Sequence, residues 1–384
     1  MDRLIENPKS YFEDIKRFRY IILYGAGSKA RQTIRLLEQW NIHPCAICDS
    51  NKDLHGQLFL NRYLIKSYES IREEYESYCI VITTSMNYAE NIKNMLLERG
   101  ERNPIFHVCN LFKVDEEFLR YNDVICDQRY TRIYDLLEDD VSKNIFIKNV
   151  NAKLTGNGLR LYEEMQGGGF FDDKILKRKE YEVFVDVGAY TGDTILQFLE
   201  FCRGQYNKIY AFEPDRGNYS SLLKFIKYGK INNIETFNIG GWDCREEKEF
   251  FTLSDNDGMN YDSSNFYKNI SRAIPNNEIV RCRENKICEA SYIVKVDAID
   301  NVIEDEEITI MKINALAADM PALKGAKNRI LQSKPAIIME YGVRPSYMTE
   351  EIVWLDELKV GYRFYMRQKN IFGDCKTILY AICV

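Results

Sequence analysis

The chain has 384 residues, of which 45% are hydrophobic, and this length exceeds that of one ordinary domain. We therefore expect two domains, each with its own core. The 58 acidic and 52 basic side chains give a formal net charge of −6, which would repel a phosphate backbone and excludes nucleic acid as a favoured partner. We find neither a signal peptide nor a run of about 20 apolar residues that could span a membrane, and we predict a cytoplasmic protein.

Cysteine and histidine usage narrows the chemistry. Eleven cysteines lie in apolar stretches without a pairing rhythm, which is typical of reduced thiols in a cytosolic chain. Cys45 and Cys48 form one C-x-x-C, but no second pair follows at zinc-ribbon spacing, and we predict no metal site. The histidines are His43, His55 and His107. Chemistry in the C-terminal half must therefore proceed without a histidine base from its own domain.

Strand and helix patterns alternate from the N-terminus to about residue 112. The strand YIILY leads into GAGSKA and a helix, HPCAICD and CIVITT follow as strands, and Gly100 closes a later helix. This alternation predicts a Rossmann-like parallel α/β domain over residues 1–112. Residues 113–175 change to helical stretches and a glycine-rich turn, GGGFFDD, which we interpret as a connector packed onto the second domain.

Alternation resumes over residues 176–384. Strands are predicted at EVFVDV, KIYAFE, IETFNI, KEFFTL, YIVKVD, ITIMKI and PAIIME, with later helices near 322–332 and 349–358. YRFYMR and TILYAICV close the chain as strands joined by a segment with Gly373, which predicts a hairpin and a mostly parallel sheet with an antiparallel last pair. The polar, aperiodic residues 254–290 are expected to form a long loop that is functional or disordered.

The first glycine turn, GAGSKA, fits the G-x-G-x-x-G/A pattern between a strand and a helix. Gly25 would form the tight turn, Gly27 would permit close approach of a phosphate, and Ser28 opens the helix whose N-terminus favours an anion. Asp49 ends the next strand, where an acid can accept hydrogen bonds from a ribose. These residues predict a site for a nucleotide or nucleotide sugar, and a Rossmann-like turn without a ligand is the alternative.

The second glycine turn, VDVGAYTGD, has a carboxylate two residues before its first glycine, and its glycines are four residues apart. Asp186 would repel a pyrophosphate and suits an amine or another cation. Glu213 ends the following strand, where a carboxylate can accept hydrogen bonds from both hydroxyls of a ribose. Because open α/β sheets bind ligands at the carboxyl ends of their strands, we predict a ligand site at this edge.

Five segments in order resemble the FkbM-type family of class I S-adenosylmethionine-dependent methyltransferases, over roughly residues 121–384. They are FVDVGAYTGDT, YAFEPD, NIGGWD, VKVDAID and ALKGAK. The resemblance implies methyl transfer from S-adenosylmethionine, most often to a hydroxyl of a sugar or a natural product. The N-terminal domain is similar to Rossmann-like domains found beside sugar-modifying enzymes of bacterial surface polysaccharide pathways.

The resemblance also assigns residues to the cofactor. Its first motif would frame the methionine part with Asp186, Gly188, Ala189, Tyr190, Thr191, Gly192 and Asp193. The next two motifs would hold the ribose with Glu213, place Pro214 and Asp215 beside the adenine, and line the far side with Asn238 and Gly240. The implied fold class is α/β with two doubly wound sheets: an N-terminal Rossmann-like domain and a C-terminal methyltransferase domain whose last strand is antiparallel.

One segment departs from the family pattern. Where the family reads close to FIKMDIEGAELEALKGA, this chain reads IMKINALAADMPALKGA. Asn314 stands in place of an aspartate, Leu316 of a glutamate and Ala317 of a glycine. The acids that the family carries at the end of its fifth strand are therefore missing.

The missing acids leave the catalytic base open. Methyl transfer to oxygen needs a base that deprotonates a hydroxyl, and the candidates are Asp319, Asp297, Glu340 and loop residues such as Asp257. Asn314 can still hydrogen-bond at the transfer site but cannot accept a proton. Asp319 can equally serve as a helix N-cap, and Glu340 can be a strand-end carboxylate without a chemical role.

These observations predict an S-adenosylmethionine-dependent O-methyltransferase that acts on a sugar hydroxyl in bacterial surface polysaccharide or glycan biosynthesis. The alternative is a catalytically lapsed relative that binds the cofactor or a nucleotide sugar without turnover. A nicotinamide-dependent activity in the N-terminal domain is a third and weaker hypothesis. The sequence specifies no methyl acceptor and leaves homo-oligomerisation open.

Overall fold

A computed structural model describes residues 4–112, 118–253, 271–273, 288–315, 318–371 and 374–383 of the protein. The chain forms two compact units: the first comprises Met1–Tyr134, Asp140–Gln166 and Phe372–Cys375, and the second Asp135–Asp139, Gly167–Ile371 and Lys376–Val384. The predicted boundaries at residues 112 and 175 stay predictions. Four residues named in the sequence analysis lie outside the described residues: Asp257, Leu316, Ala317 and Gly373.

The first unit is built around a six-stranded sheet with the order β3-β4-β2-β1-β5-β6. Its strands are β1 Tyr20–Tyr24, β2 Ala46–Cys48, β3 Leu58–Phe59, β4 Tyr63–Lys66, β5 Tyr78–Ile82 and β6 Ile105–His107. The helices of this part of the chain are α1 Lys9–Lys16, α2 Ser28–Gln39, α3 Tyr68–Glu74, α4 Met86–Glu98, α5 Tyr121–Cys126, α6 Gln128–Leu136, α7 Asp140–Thr155 and α8 Leu159–Tyr162, with a 3₁₀ turn at Lys52–Leu54. All neighbouring strands are parallel except β3 and β4.

The central strands of this sheet are apolar because both of their faces are covered. Ile21 and Leu23 of β1 pack in one core cluster, whereas Ile22 and Tyr24 pack in another. Successive side chains of a strand point to opposite faces, so these two clusters are the two layers of a doubly wound sheet. The Rossmann-like fold predicted for this part of the chain is confirmed.

Residues 140–166 of the predicted connector belong to the first compact unit, and the prediction that the connector packs onto the second domain stays a prediction. Asn151 of α7 holds the N-terminal segment: its amide oxygen accepts from Glu6 N at 2.9 Å, and its amide nitrogen donates to Leu4 O at 3.1 Å. These long-range bonds could not be read from a helical period, because the period gives the face of a helix and not its partner.

The second unit contains a seven-stranded sheet with the order β16-β17-β15-β14-β7-β8-β9. Its strands are β7 Val183–Val187, β8 Lys208–Phe212, β9 Ile234–Phe237, β14 Ile310–Ile313, β15 Ala336–Glu340, β16 Tyr362–Ile371 and β17 Asp374–Cys383. A four-stranded sheet with the order β10-β13-β11-β12 consists of β10 Gly240–Trp242, β11 Glu246–Leu253, β12 Ser271–Ala273 and β13 Cys288–Ala298. The helices are α9 Asp193–Phe201, α10 Arg216–Gly229, α11 Ile299–Val302, α12 Asp319–Gly325, α13 Lys327–Ser333 and α14 Tyr347–Glu357.

The seven-stranded sheet confirms the predicted fold class. Strands β9, β8, β7, β14 and β15 run parallel, and β17 is antiparallel to β15. The helix predicted near 322–332 is instead two helices, α12 and α13, that meet at Ala326. Gly325 is the last residue of α12, and a Cβ there would lie 1.7 Å from Trp242 O, so only glycine lets the helix approach β10 this closely. Among the described helices, none combines the length and apolar character that a membrane crossing requires.

Candidate cofactor site and acceptor edge

The glycine turn after β7 needs both of its glycines. Gly188 has a φ of +81°, and a Cβ at this position would lie 2.3 Å from the carbonyl oxygen of Asn314. Gly192 has a φ of +98°, and a Cβ there would lie 2.3 Å from Cδ1 of Phe225. L-residues rarely adopt such φ values, and in both cases the space is already taken. The turn is therefore fixed against β14 on one side and α10 on the other.

Asp186 of β7 forms a buried ion pair that the sequence analysis missed. Its Oδ1 accepts from Lys312 Nζ at 2.9 Å, and the same ammonium donates to Gly188 O at 2.8 Å. Asp186 is 0% exposed, and its Oδ2 has no hydrogen-bond partner among the described residues. Burial raises the pKa of Asp186 to about 6, although the Lys312 charge opposes this rise. A ligand would therefore experience Asp186 through its charge rather than through an exposed surface.

Glu213, directly after β8, closes the glycine turn. Its Oε2 accepts from Tyr190 N at 2.9 Å, and its Oε1 accepts from Asp215 N at 2.9 Å. Tyr190 adopts a φ of +50°, an uncommon value for a non-glycine residue that this hydrogen bond helps to hold. Burial raises the pKa of Glu213 to about 8. Each carboxylate oxygen retains a second lone-pair direction, so the group can still accept from two hydroxyls.

The residues after β8 and β9 are held around this acid. Asp215 is the N-cap of α10, where its Oδ1 accepts from Asn218 N at 2.7 Å, and its Oδ2 accepts from the Tyr292 hydroxyl. Asn238 donates from Nδ2 to Glu213 O at 2.9 Å and to Pro214 O at 3.2 Å. These bonds fix the backbone on either side of the carboxylate predicted to hold the ribose.

Gly240 opens β10 beside this segment. A Cβ at Gly240 would lie 3.2 Å from Cγ1 of Val296 and 3.6 Å from Cβ of Pro214. The predicted cofactor residues after β7, β8 and β9 are thus brought to one edge of the sheet, as the carboxyl ends of neighbouring parallel strands require.

Acidic side chains dominate the turn itself. Asp193 is the first residue of α9, and burial raises the pKa of its carboxyl. Thr191 and the buried Ala189 complete the turn, in which Gly192 N donates to Ala189 O at 2.9 Å. Asp186 and Glu213 lie close by in sequence and space, and these acids repel an anionic group when they are ionised. A cationic ligand without phosphate suits this edge.

The neighbouring edge, at the end of β14, carries the residues predicted to face the methyl acceptor. Asn314 N donates to Val187 O at 3.0 Å, which continues the pairing of β14 with β7 beyond the strand. Asp319, the first residue of α12, is almost completely buried, and its Oδ1 accepts from Ala315 N at 2.7 Å. This carboxylate faces back towards the strand end instead of capping the helix that follows. The helix N-cap alternative for Asp319 is therefore not what the structure shows.

Two further acids lie on the elements after β14. Glu340 ends β15, is buried, and its Oε2 lies 3.4 Å from Lys376 Nζ of β17. Glu351 of α14 is 0% exposed, and neither of its carboxyl oxygens has a hydrogen-bond partner among the described residues. The sequence analysis missed Glu351. The available signal was its helical spacing, four residues after Tyr347 and four before Leu355, both of which are buried.

The surroundings of Asp297 disfavour it among the predicted bases. Its Oδ2 accepts from Arg245 Nε at 2.6 Å, and its Oδ1 accepts from Ala298 N and Asn301 Nδ2 at 2.9 Å each. Burial alone would raise its pKa, but these hydrogen bonds outweigh burial and lower it. A carboxylate with three donors and a lowered pKa is a poor proton acceptor, so we assign Asp297 a structural role.

The glycine turn of the first unit is closed by its own acid. Asp49 is buried, its Oδ2 accepts from Ala26 N at 2.7 Å, and its Oδ1 accepts from Asn51 N at 2.8 Å. Gly25 has a φ of +109°, and Gly27 precedes the exposed Ser28 that begins α2. The carboxylate occupies a turn amide that a phosphate would use and adds negative charge there. This arrangement disfavours the predicted nucleotide site at that amide.

Comparison with known proteins agrees with the fold and the motifs. Residues 186–364 match the family described as the methyltransferase FkbM domain. The structure of methyltransferase FkbM from Methylobacillus flagellatus KT is similar over 99% of this chain and 95% of its own, with a TM-score of 0.67 and 16% identity. At that identity the likeness establishes the fold. No curated protein matches the chain.

Two other solved structures align with about half of the chain. An rRNA methylase from Streptococcus thermophilus covers 54% of this chain and 89% of its own, with 13% identity and a TM-score of 0.32. A Streptococcus mutans protein in complex with SAH covers 53% of this chain and 89% of its own, with 11% identity and a TM-score of 0.31.

Proposed function

This chain carries a methyltransferase domain of the FkbM family in residues 186–364, and on that premise we propose that it is an S-adenosylmethionine-dependent O-methyltransferase acting on a sugar hydroxyl. The observation that carries the proposal is Glu213, a buried carboxylate held by Tyr190 N and Asp215 N at the end of β8. Its geometry leaves acceptor capacity for the two hydroxyls of a ribose.

The residues present fit this cofactor. S-adenosylmethionine has an amine, a carboxylate and a sulfonium group but no phosphate. The acids Asp186, Asp193 and Glu213 favour its positive charges, and the unpartnered Oδ2 of Asp186 is a buried acceptor whose charge Lys312 only partly offsets. When bound, the cofactor supplies an electrophilic methyl group on its sulfonium sulfur.

The chain's own groups have three duties in this proposal. Glu213 holds the ribose, and Asp215 with Asn238 keeps the adjoining backbone in place. The Gly188–Gly192 turn places the backbone against the cofactor, because no side chain fits at either glycine. Asp319, anchored at the end of β14, accepts the proton of the acceptor hydroxyl, while Asn314 and Glu340 position the acceptor.

The sugar acceptor, in bacterial surface polysaccharide or glycan biosynthesis, follows from the family resemblance and forms part of the proposal. A hydroxyl acceptor is consistent with an edge that offers buried carboxylates. Methyl transfer to an oxygen requires loss of its proton, and the described residues at this edge include the buried acids Asp319 and Glu340.

Isothermal titration calorimetry with S-adenosylmethionine tests the proposal. We expect the wild type to bind and Glu213→Ala to bind at least about tenfold more weakly, because hydrogen bonds to a charged group contribute roughly 1.5–3 kcal/mol. Glu235→Ala is the matched control, since Glu235 is an exposed acid on the neighbouring strand β9. No heat with the wild-type protein would overturn the proposal. Release of SAH in the presence of sugar nucleotides then measures turnover.

A second function is favoured by one observation at the acceptor edge. Asn314 cannot accept a proton, and it occupies the position directly after β14. A protein that binds the cofactor without turnover is therefore the alternative, and it predicts calorimetric binding without SAH release for any acceptor. Asn314→Asp would separate the two functions: activity that appears only in this variant would identify the natural chain as a lapsed catalyst.

A further inference from the structure

Glu351 is a buried acid that nothing in the proposed function uses. It lies on α14, is 0% exposed, and neither carboxyl oxygen has a hydrogen-bond partner among the described residues. An ionised carboxylate without a partner in such a place would cost several kcal/mol of folding free energy. The side chain is therefore held there in its neutral form, as a carboxylic acid.

The groups around Glu351 come from three other elements, from the segment after β15 and from its own helix. The charge of Asp319, from α12, acts on it most strongly, followed by those of Glu350 on α14 and Glu340 at the end of β15. Lys376 of β17 lies 3.4 Å from Glu340 and offsets that charge. Burial raises the pKa of Tyr347, one turn earlier on α14. The charges of Asp319 and Glu351 raise it further, and that of Arg344 lowers it. Burial and the neighbouring acids raise the pKa of Glu351, whereas the backbone amide of Gly342 lowers it.

Asp319 and Glu351 lie on α12 and α14, two helices that contact each other, and both side chains are buried. Asp319 has a backbone donor, Ala315 N at 2.7 Å, which stabilises its ionised form. Glu351 lacks any such donor in normal hydrogen-bond geometry among the described residues. When only one of two neighbouring carboxyl groups has a hydrogen-bond donor, that group is ionised and the other keeps its proton.

We propose that Asp319 and Glu351 form a carboxyl pair that holds one proton in the resting protein and accepts a second from the methyl acceptor. Asp319 is the proton acceptor, and Glu351 is a positioning residue that stays protonated and keeps Asp319 as the ionised member. This inference rests on the proposed function for the identity of the reaction. It adds to that function a residue outside the glycine-turn motifs.

The chemical step balances with these groups. The O–H bond of the acceptor breaks, and its proton passes to the Asp319 carboxylate. The acceptor oxygen forms a bond to the methyl carbon of S-adenosylmethionine, and the electron pair of the breaking C–S bond stays on sulfur. Afterwards both members of the pair are protonated, and release of one proton to solvent restores the resting state.

Infrared spectroscopy tests the pair without cofactor or activity. A protonated carboxyl has a C=O stretching band that an ionised one lacks. At neutral pH we expect this band in the wild type from Glu351 and from Glu213, whose pKa is raised to about 8, and we expect Glu351→Gln to remove the contribution of Glu351 alone. Glu357→Gln, an exposed acid at the end of the same helix, should leave the band unchanged. A neutral-pH spectrum that is identical for the wild type and Glu351→Gln overturns the proposal.

The variant Asp319→Asn tests the coupling and also serves if Glu351→Gln does not fold. Removal of the Asp319 charge should allow Glu351 to ionise more readily, so its C=O band should titrate at lower pH than in the wild type. A band midpoint that Asp319→Asn does not change overturns the pairing, because two coupled acids must affect each other.

The pH dependence of methyl transfer completes the test. With the pair intact, the rate should rise as Asp319 ionises and fall at higher pH as Glu351 loses its proton. Glu351→Gln should retain the rise and lose the fall, and Asp319→Asn should lower kcat at least about a hundredfold. If infrared titration shows that the two acids are coupled and calorimetry shows cofactor binding, but the variants leave the pH profile of the rate unchanged, this inference alone is overturned. Coupling without cofactor binding overturns the proposed function and, with it, the role of the pair in methyl transfer.

Discussion

The two glycine turns, GAGSKA in the first unit and VDVGAYTGD in the second, are closed by the same device. In each, an acid directly after the next strand accepts a hydrogen bond from a turn amide. Asp49 accepts from Ala26 N at 2.7 Å, and Glu213 accepts from Tyr190 N at 2.9 Å. The strand on the other side of the turn-bearing strand is also joined to it in the same way. Thr83 N, after β5, donates to Tyr24 O of β1, and Asn314 N, after β14, donates to Val187 O of β7, each at 3.0 Å.

The two regions differ in the pair of side chains beneath the turn. Two residues before the first glycine, the first unit has Leu23, which is in register with Val81. At the same place the second unit has Asp186, which is in register with Lys312. One backbone arrangement thus carries an apolar pair in one unit and an ion pair in the other. The shape of a glycine turn is thus the same for both units, and we expect the charges placed around it to select the ligand.

Breaking the ion pair has the largest expected effect. Lys312→Val leaves Asp186 buried without its partner, which should lower the free energy of unfolding by about 3–5 kcal/mol. Adding Asp186→Leu recreates the pair found in the first unit and should restore most of that loss, because an apolar pair needs no desolvated charge. Differential scanning calorimetry measures both variants.

A matched control measures how much stability is lost when a strand lysine outside the buried ion pair is replaced by valine. Lys208→Val replaces a lysine on the adjacent strand whose side chain pairs with the exposed Glu235, and it should change stability by less than about 1 kcal/mol. Equal destabilisation in Lys312→Val and the double variant would contradict the comparison. The double variant should also lose S-adenosylmethionine binding while it remains folded.

The next largest effects are expected for alanine substitutions at three glycines, which should lower stability by different amounts. Gly188→Ala should destabilise by about 3 kcal/mol, because its Cβ meets a backbone carbonyl at 2.3 Å in addition to the positive φ. Gly204 has a φ of +72°, and a Cβ there would meet nothing within 4 Å. Gly204→Ala should therefore lose only the conformational cost of about 1–2 kcal/mol. Gly25→Ala meets two threonine side chains at 3.0 Å and should fall between them. Thermal unfolding ranks the three variants, and an equal loss for Gly188→Ala and Gly204→Ala would show that the close approach of Asn314 O is unimportant.

Much of the site could be predicted because it lies in local motifs. A glycine turn between a strand and a helix, and an acid at the end of the next strand, are visible in one stretch of sequence. Gly188, Gly192 and Glu213 therefore stand where the sequence indicated, as the parallel strand order brings neighbouring carboxyl ends together.

The partners across the sheet could not be predicted. Lys312 is one charged residue inside the apolar run ITIMKI, and nothing in that run says that its strand lies beside Asp186. Glu351 lies among other acids in MTEEIVWLDE, where a buried acid and a solvated one look alike. Both depend on which elements become neighbours, which a single sequence leaves unspecified.

The acid that closes the second turn should make cofactor binding pH-dependent. The pKa of Glu213 is raised by burial to about 8 in the folded protein, so the proton it retains stabilises the fold below its ordinary pKa, and this stabilisation is lost as pH rises through 8. Ribose hydroxyls need the ionised acceptor, so affinity for S-adenosylmethionine should increase from pH 7 to 8, by at most about tenfold. Glu213→Gln should remove most of this increase, and Glu235→Gln should not. Calorimetric affinities that are flat across this range in the wild type would contradict the raised pKa.

The smallest effect is expected at the corresponding acid of the first unit. Asp49→Asn can still accept from Ala26 N, but its amide nitrogen then faces Asn51 N, and one lost hydrogen bond should cost about 1 kcal/mol. The substitution also removes the negative charge that disfavours a phosphate at this turn. Under the comparison, uridine diphosphate or a nucleotide sugar should raise the melting temperature of Asp49→Asn more than that of the wild type. Asp53→Asn, an exposed acid in the 3₁₀ turn that follows, is the matched control. If nucleotides stabilise the wild type as much as Asp49→Asn, then Asp49 does not exclude phosphate, and the difference between the two turns lies in Asp186 and Lys312 alone.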